Sequence, residues 1–380
     1  MLDIIYLDNA STTPLDSRVL SKMQPYLTTV YGNANSVHSV GRLAVSALDK
    51  ARETVAKIIG AEFNEIYFTS GGTEGANFAL RGAFLNRKVN KNALVTSSIE
   101  HACVLQTANE LEKQGAIIKK VKPNGYGLLS VSDYLSVGLD DAFIACMMMA
   151  NNEIGTVMPV KEFCLACKEK GVVSFVDAVQ AIGVTDINVK DLNVDCLSFS
   201  AHKFGGPKGV GVLYVKNGTK IAPLISGGHQ ERSKRAGTSN VAGAVGLATA
   251  LSLTRQNLNE RVNSIKALRD YFISRVLTEV NGVTVNGDLE KRLPGNVNFK
   301  FQGVNGEALL YQLDLNGVCA SLGAACSSGT IEPSYVLTEI GLSGVDAKSS
   351  IRFSLEESNT KEEIDKTVEI IKKCLGKLIE

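Results

Sequence analysis

Six short runs, Ile66 to Thr69, Ala93 to Ser97, Phe143 to Met149, Val172 to Val176, Cys196 to Phe199 and Val210 to Val215, are apolar almost from end to end. A strand with one wet face alternates apolar and polar residues; a continuous run describes a strand covered on both faces, as in a mainly parallel sheet between helix layers. Amphipathic helical stretches fall between these runs, which is the order of βαβ units and predicts an α/β architecture. The clearest helix covers 40–59, with Leu43, Ala47, Leu48, Ala51, Val55 and Ile58 on one face and Gly60 as its stop.

At 380 residues the chain is long enough for two lobes, since a compact domain holds about 100 to 200. A long helix starts at Leu258, carries Val262, Ile265, Leu268, Phe272 and Val276 on one side, and stops near Gly282. The expected division is a large domain over 14–257 and a smaller α+β domain made of 1–13 and 258–380. The small lobe closes with a helix in which Thr360 and Glu363 are spaced as a capping box and Ile364, Val368, Ile371, Leu375 and Leu378 form the buried stripe.

Lys+Arg 40 against Asp+Glu 39 leaves a net charge of +1, so no overall charge favours nucleic acid or an anionic membrane as a direct partner. The longest apolar run, Ala142 to Ala150, is far short of the roughly 20 residues that span a bilayer. The N-terminal Met1 to Tyr6 lacks secretory-signal features, and eight scattered cysteines are too sparse for a disulfide framework. A cytoplasmic location is expected.

Four polar clusters lie where the strands end, which in open α/β sheets is where ligands bind. Phe68 to Asn77 runs from a strand through Gly71 and Gly72 into an expected helix, and Thr73 adds a hydroxyl: a phosphate seat, or else a plain tight turn. Asp177 follows a strand directly, either as a cap for the next turn or as the counter-ion of a cationic ring nitrogen. Lys203 follows Ser200-Ala201-His202 and precedes the turn at Gly205 and Gly206, so it is expected inside a crevice, where a lysine of lowered pKa makes a good Schiff-base amine. In Ser321 to Thr330, eight of ten residues are Gly, Ala, Ser or Thr, too little apolar surface to anchor the segment, and Cys326 rides on it as a candidate nucleophile. Cys103, Cys146, Cys196, Cys319 and Cys374 read as packing residues. Cys164 and Cys167 form a Cys-x-x-Cys within a helical pattern with no second pair, which favours packing over a metal or redox site.

Taken together, these clusters resemble the NifS-type cysteine desulfurases, fold-type I pyridoxal phosphate (PLP) enzymes of the class V aminotransferase group, in the subgroup with the longer cysteine loop. The resemblance runs in order through Tyr6-Leu7-Asp8-Asn9-Ala10-Ser11-Thr12-Thr13, Ser98-Ile99-Glu100-His101, Asn151-Asn152-Glu153-Ile154-Gly155-Thr156 and the Lys203 segment. It continues through Gly227 to Arg232, Arg235 to Thr238, Pro294 to Asn298, Ala325-Cys326-Ser327-Ser328-Gly329 and Ser350 to Ser354. Two departures stand out: Leu322 and Ala324 replace common serines in the cysteine loop (about 321–333), and Ala236 replaces a usual serine beside Thr238.

The resemblance implies a PLP fold-type I protein with the cofactor held on Lys203, Asp177 against the pyridine nitrogen, and Gln180 and Asn152 at the ring hydroxyl and substrate region. His101 would stack on the ring and handle protons. Gly72, Thr73, Ser200 and His202 would hold the phosphate, joined by Thr238 from the other subunit of a homodimer, and Arg352 would bind the substrate carboxylate. The implied reaction converts L-cysteine to L-alanine and leaves a persulfide on Cys326 for an iron–sulfur scaffold protein or another sulfur acceptor. No intrinsic metal is implied; Cys326 would at most ligate a cluster transiently, shared with a scaffold partner. The rival readings are a selenocysteine lyase or aminotransferase-like PLP enzyme, in which Cys326 is incidental, and a sulfur-relay or scaffold-docking protein with weak catalysis.

Overall fold

The computed structural model describes residues 4–322 and 332–379. Cys326 and most of the cysteine loop lie outside the described residues. Strand β1 (Ile5–Tyr6) comes first, followed by β2 (Ile66–Thr69), β3 (Ala93–Ser97), β4 (Ile117–Val121), β5 (Ala142–Met148), β6 (Val173–Asp177), β7 (Cys196–Ser200) and β8 (Gly211–Val215). The last four are β9 (Val283–Asn286), β10 (Asn296–Phe301), β11 (Val318–Cys319) and β12 (Ser350–Ser354).

Strands β2 to β8 form one seven-stranded sheet in the order β2-β8-β7-β6-β5-β3-β4. Only β8 runs against its neighbours within it, pairing antiparallel with both β2 and β7. Because two reversals restore direction, β2, β3, β5, β6 and β7 all point the same way, and their carboxyl ends open on one edge. Residues of β3, β5, β7 and β8 are buried on both faces, in keeping with their unbroken apolar runs. The sequence missed β4: its Ile117-Ile118-Lys119-Lys120-Val121 lies at the sheet edge, where one partner strand and two lysines remove the apolar signal.

The expected helix over 40–59 is Ser39–Ile59, ended by Gly60 at φ 73°, the left-handed conformation a Cβ would strain. Its face is rotated slightly from expectation, since Leu43 is 58% exposed while Ala44 is buried. A second sheet, β12-β10-β9, is antiparallel, and β1 pairs in parallel with β11. Around these lies a separate apolar core in which Phe272, Phe299 and Phe353 meet edge to face, closed by the Leu258–Glu279 and Lys361–Ile379 helices. The terminal helix begins with the anticipated box: Thr360 Oγ1 accepts the Glu363 amide, and Glu363 accepts the Thr360 amide. Val336, Leu337, Ile340 and Ala347 pack into the large sheet's core rather than this one.

Candidate active site

At the carboxyl edge of the large sheet lies a cavity of about 970 Å³ lined by Gly72, Thr73, His101, Asn152, Asp177, Gln180, Ser200, His202, Lys203 and Arg352, together with Ala10, Ser11 and Thr12. Ten positions singled out in the sequence therefore meet in one place. Two do not join them among the described residues: Cys326 lies outside those residues, and Thr238 is exposed and absent from the lining.

Each side chain arrives by a local rule of chain geometry. The chain leaves β2 through Gly71 and enters the Gly72–Leu85 helix, whose first-turn amides have no acceptor within the helix. A Cβ on Gly72 would fall 2.6 Å from Val179 Cγ2, and one on Gly211 would fall 2.6 Å from Gly71 Cα, so the turn is as narrow as glycine permits. Asp177 ends β6 and accepts the Val179 amide at 2.9 Å. Ser200 ends β7, and a 3-10 turn of Ala201–Lys203 swings the lysine into the cavity. His101 caps the Ala102–Glu112 helix, its Nδ1 accepting the Cys103 amide, which leaves the proton of the neutral ring on Nε2.

Burial sets the charge states. The Lys203 ammonium is pulled down to about 8 by burial and the nearby Arg352, against the opposing pull of Asp8 and Asp177. Its Nζ donates to the carbonyls of Ala10 (2.6 Å) and Ser11 (2.8 Å). Burial lowers His202 to about 4, leaving it a neutral ring whose Nδ1 lies 3.1 Å from the Thr12 hydroxyl. Burial raises Asp177, opposed by His101 and Lys203, so a cation placed against it would favour its ionised form. Glu100, buried beneath the His101 turn, is pushed up to about 8 by burial; it accepts from Ser97 and from the Met148 amide.

The Asp8–Thr13 strap, to which no individual role was assigned from sequence, touches much of the site. Asp8 and Ser11 accept from Arg352, Ala10 accepts from Lys203 and Gln180, and Thr12 meets His202. Their signal was the unbroken match over Tyr6 to Thr13. Cys103, expected as core, is half-buried and lines the cavity, with burial holding its thiol well above the ordinary range.

The donor set suits a flat cofactor with an anionic group, a protonated ring nitrogen and a carbonyl: open amides and hydroxyls for the first, Asp177 for the second, a lysine of lowered pKa for the third. The aminotransferase class-V family model matches residues 5–367. The chain is 45% identical over 373 residues to the cysteine desulfurase IscS of Clostridium botulinum, covering 98% of this chain and 94% of that protein. A solved NifS-like protein superposes with a TM-score of 0.93 at 36% identity, over 99% of this chain and 100% of that one. SspA in complex with cysteine superposes with a TM-score of 0.83 at 33% identity, over 93% and 99% respectively. The chain belongs to the class-V aminotransferase family, among the PLP-dependent enzymes that resemble NifS and IscS.

Proposed function

We propose that the protein is a cysteine desulfurase that converts L-cysteine to L-alanine and passes the sulfur, as a persulfide on Cys326, to an acceptor protein such as an iron–sulfur scaffold. The observation that carries this reading is the meeting of a lysine of lowered pKa, a buried Asp177 and the Arg352 guanidinium in one cavity. The names of the relatives and of the cysteine-bound neighbour support it.

In this reading Gly72, Thr73, Ser200 and His202 hold the PLP phosphate, with Thr238 contributed by a second copy of the chain, and Asp177 faces the ring nitrogen. When bound, PLP supplies an electron sink for density leaving the substrate α-carbon. Arg352 binds the substrate carboxylate, and Asn152 and Gln180 border the reacting region. The Lys203 amine moves the α-proton; a base near 8 is well matched to that task at neutral pH. His101 holds a proton on Nε2 for the sulfur step. The Cys326 thiolate attacks the substrate sulfur, so that the S–S bond forms as Cβ–S breaks. The three-carbon product takes up a proton and leaves as L-alanine; cysteine plus thiol gives alanine plus persulfide, with no outside oxidant.

The site belongs in this reading to a cytoplasmic homodimer whose large domain spans 14–257 and whose small domain comprises 1–13 and 258–380. The second apolar core, drawn only from 1–13 and 258–380, supports that division, although Leu293 and the Val336 to Ala347 stretch pack against the large sheet's core. No helix among the described residues is long and apolar enough to cross a membrane. The deciding experiment uses Cys326→Ser holoprotein incubated with L-cysteine. It should retain PLP but neither carry a persulfide by intact mass nor release alanine efficiently, because a serine hydroxyl is un-ionised at neutral pH whereas a free thiol is a few per cent thiolate. Alanine release at the wild-type rate would favour a lyase of the same fold in which Cys326 is incidental.

A further inference from the structure

The Arg352 guanidinium, 2% exposed on β12, is already occupied. Nη1 donates to the Asn152 carbonyl at 3.0 Å, and Nη2 donates to Asp8 Oδ1 at 2.7 Å and to Ser11 Oγ at 2.8 Å. Nε is buried without a hydrogen-bond partner among the described residues.

A carboxylate engages a guanidinium bidentately through one of two forks, Nη1 with Nη2 or Nε with Nη2. Both forks use Nη2. That nitrogen has two protons, and both are committed, so an incoming carboxylate can complete neither fork while Asp8 and Ser11 keep their bonds. We propose that Asp8 is a resident stand-in for the substrate carboxylate: it neutralises Arg352 in the substrate-free site and yields Nη2 when the amino acid arrives. The inference rests on Arg352 being the carboxylate seat.

The electrostatics favour such an exchange. A buried guanidinium stripped of its counter-ion is strongly destabilising, so an empty seat needs an internal anion. Replacing one carboxylate with another keeps the charge of the pocket constant as substrate enters. Asp8 also has somewhere to go: its side chain is 19% exposed, and the Ser11 hydroxyl donates to Oδ1 at 2.8 Å independently of Arg352. The arrangement acts as a specificity device, because a ligand without a carboxylate has nothing to offer Arg352 in return for Asp8.

The test titrates holoenzyme with propionate, the alanine skeleton without its amine, and follows the thermal denaturation midpoint. Asp8→Asn, which removes the competing charge, should bind propionate about fivefold more tightly than wild type, the size of one modest hydrogen-bond exchange. Ser11→Ala, which removes the other Nη2 acceptor without a charge change, should move in the same direction by about twofold and keeps the test open if Asp8→Asn folds poorly. Weaker or unchanged propionate binding in these variants overturns the proposal, since an Asp8 that merely orients Arg352 would lower affinity when removed. Arg352→Gln separates the two levels. If it binds propionate as well as wild type, the carboxylate seat is misplaced and the exchange falls with it; if it loses propionate while Asp8→Asn shows no gain, the stand-in alone is wrong.

Discussion

Lys203 owes its reactivity to its surroundings. Free lysine titrates near 10.4, and burial beside Arg352 brings this one to about 8. In cofactor-free protein, competitive acetylation with acetic anhydride followed by peptide mapping should therefore give Lys203 a midpoint near 8; a midpoint at the free-lysine value would contradict the burial argument. Glu100 shifts the other way, its carboxyl raised to about 8 by burial. A raised acid contributes stability that is complete below the unfolded value near 4.5 and is lost as pH rises through about 8. Glu100→Gln keeps an oxygen for Ser97 and Met148 but cannot ionise, so the fall in denaturation midpoint between pH 5 and pH 9 should shrink relative to wild type. Lys203 and Asp177 were legible in the sequence because each lies at or just past the end of an apolar strand. The partners of Arg352 were not: Asp8 lies 344 residues away, and no local pattern records a contact at that separation.

Elements explain how such residues are held. The segment after β8 carries three successive left-handed residues, Glu231, Arg232 and Ser233, at φ 43°, 55° and 61°, a costly run for residues with a Cβ. Its anchors are on β2 and the Ser39–Ile59 helix. Glu231 accepts from both Arg52 Nη atoms and the Phe68 amide, while Arg232 donates to the Ile66 carbonyl and lies 4.1 Å from the Tyr67 ring centroid. The Arg52–Glu231 pair is about 5% exposed, and leaving one such charge alone costs about 3 kcal/mol. Arg52→Met should cost about that much in urea unfolding. It should also loosen 229–239, read as faster amide hydrogen exchange there, whereas a change confined to the Ser39–Ile59 helix would refute the anchoring. Strand positions were readable because covered strands are uniformly apolar; the left-handed run was not, since none of its residues is a glycine.

Thr238 is exposed and outside the cavity of its own chain, which fits a residue that serves another copy. A 40.6 kDa subunit should then scatter light as roughly twice that mass, and an active, PLP-saturated monomer at low concentration would refute the shared site. The α/β class and the positions of most strands could be read from apolar runs, and two lobes from length and the long helix at Leu258. What the sequence hid is the stitching of the first residues to the last: β1 pairs with β11, and Asn9 donates to the Ser354 carbonyl across 345 positions. That stitching has a consequence during synthesis. When a growing polypeptide emerges from the ribosome, Lys203 and Asp177 are available long before residues 350–354 have been translated. A nascent chain stalled short of β12 holds Lys203 without the Arg352 guanidinium that helps to lower its pKa, and the polar lining of the cavity is complete only once β12 has been made.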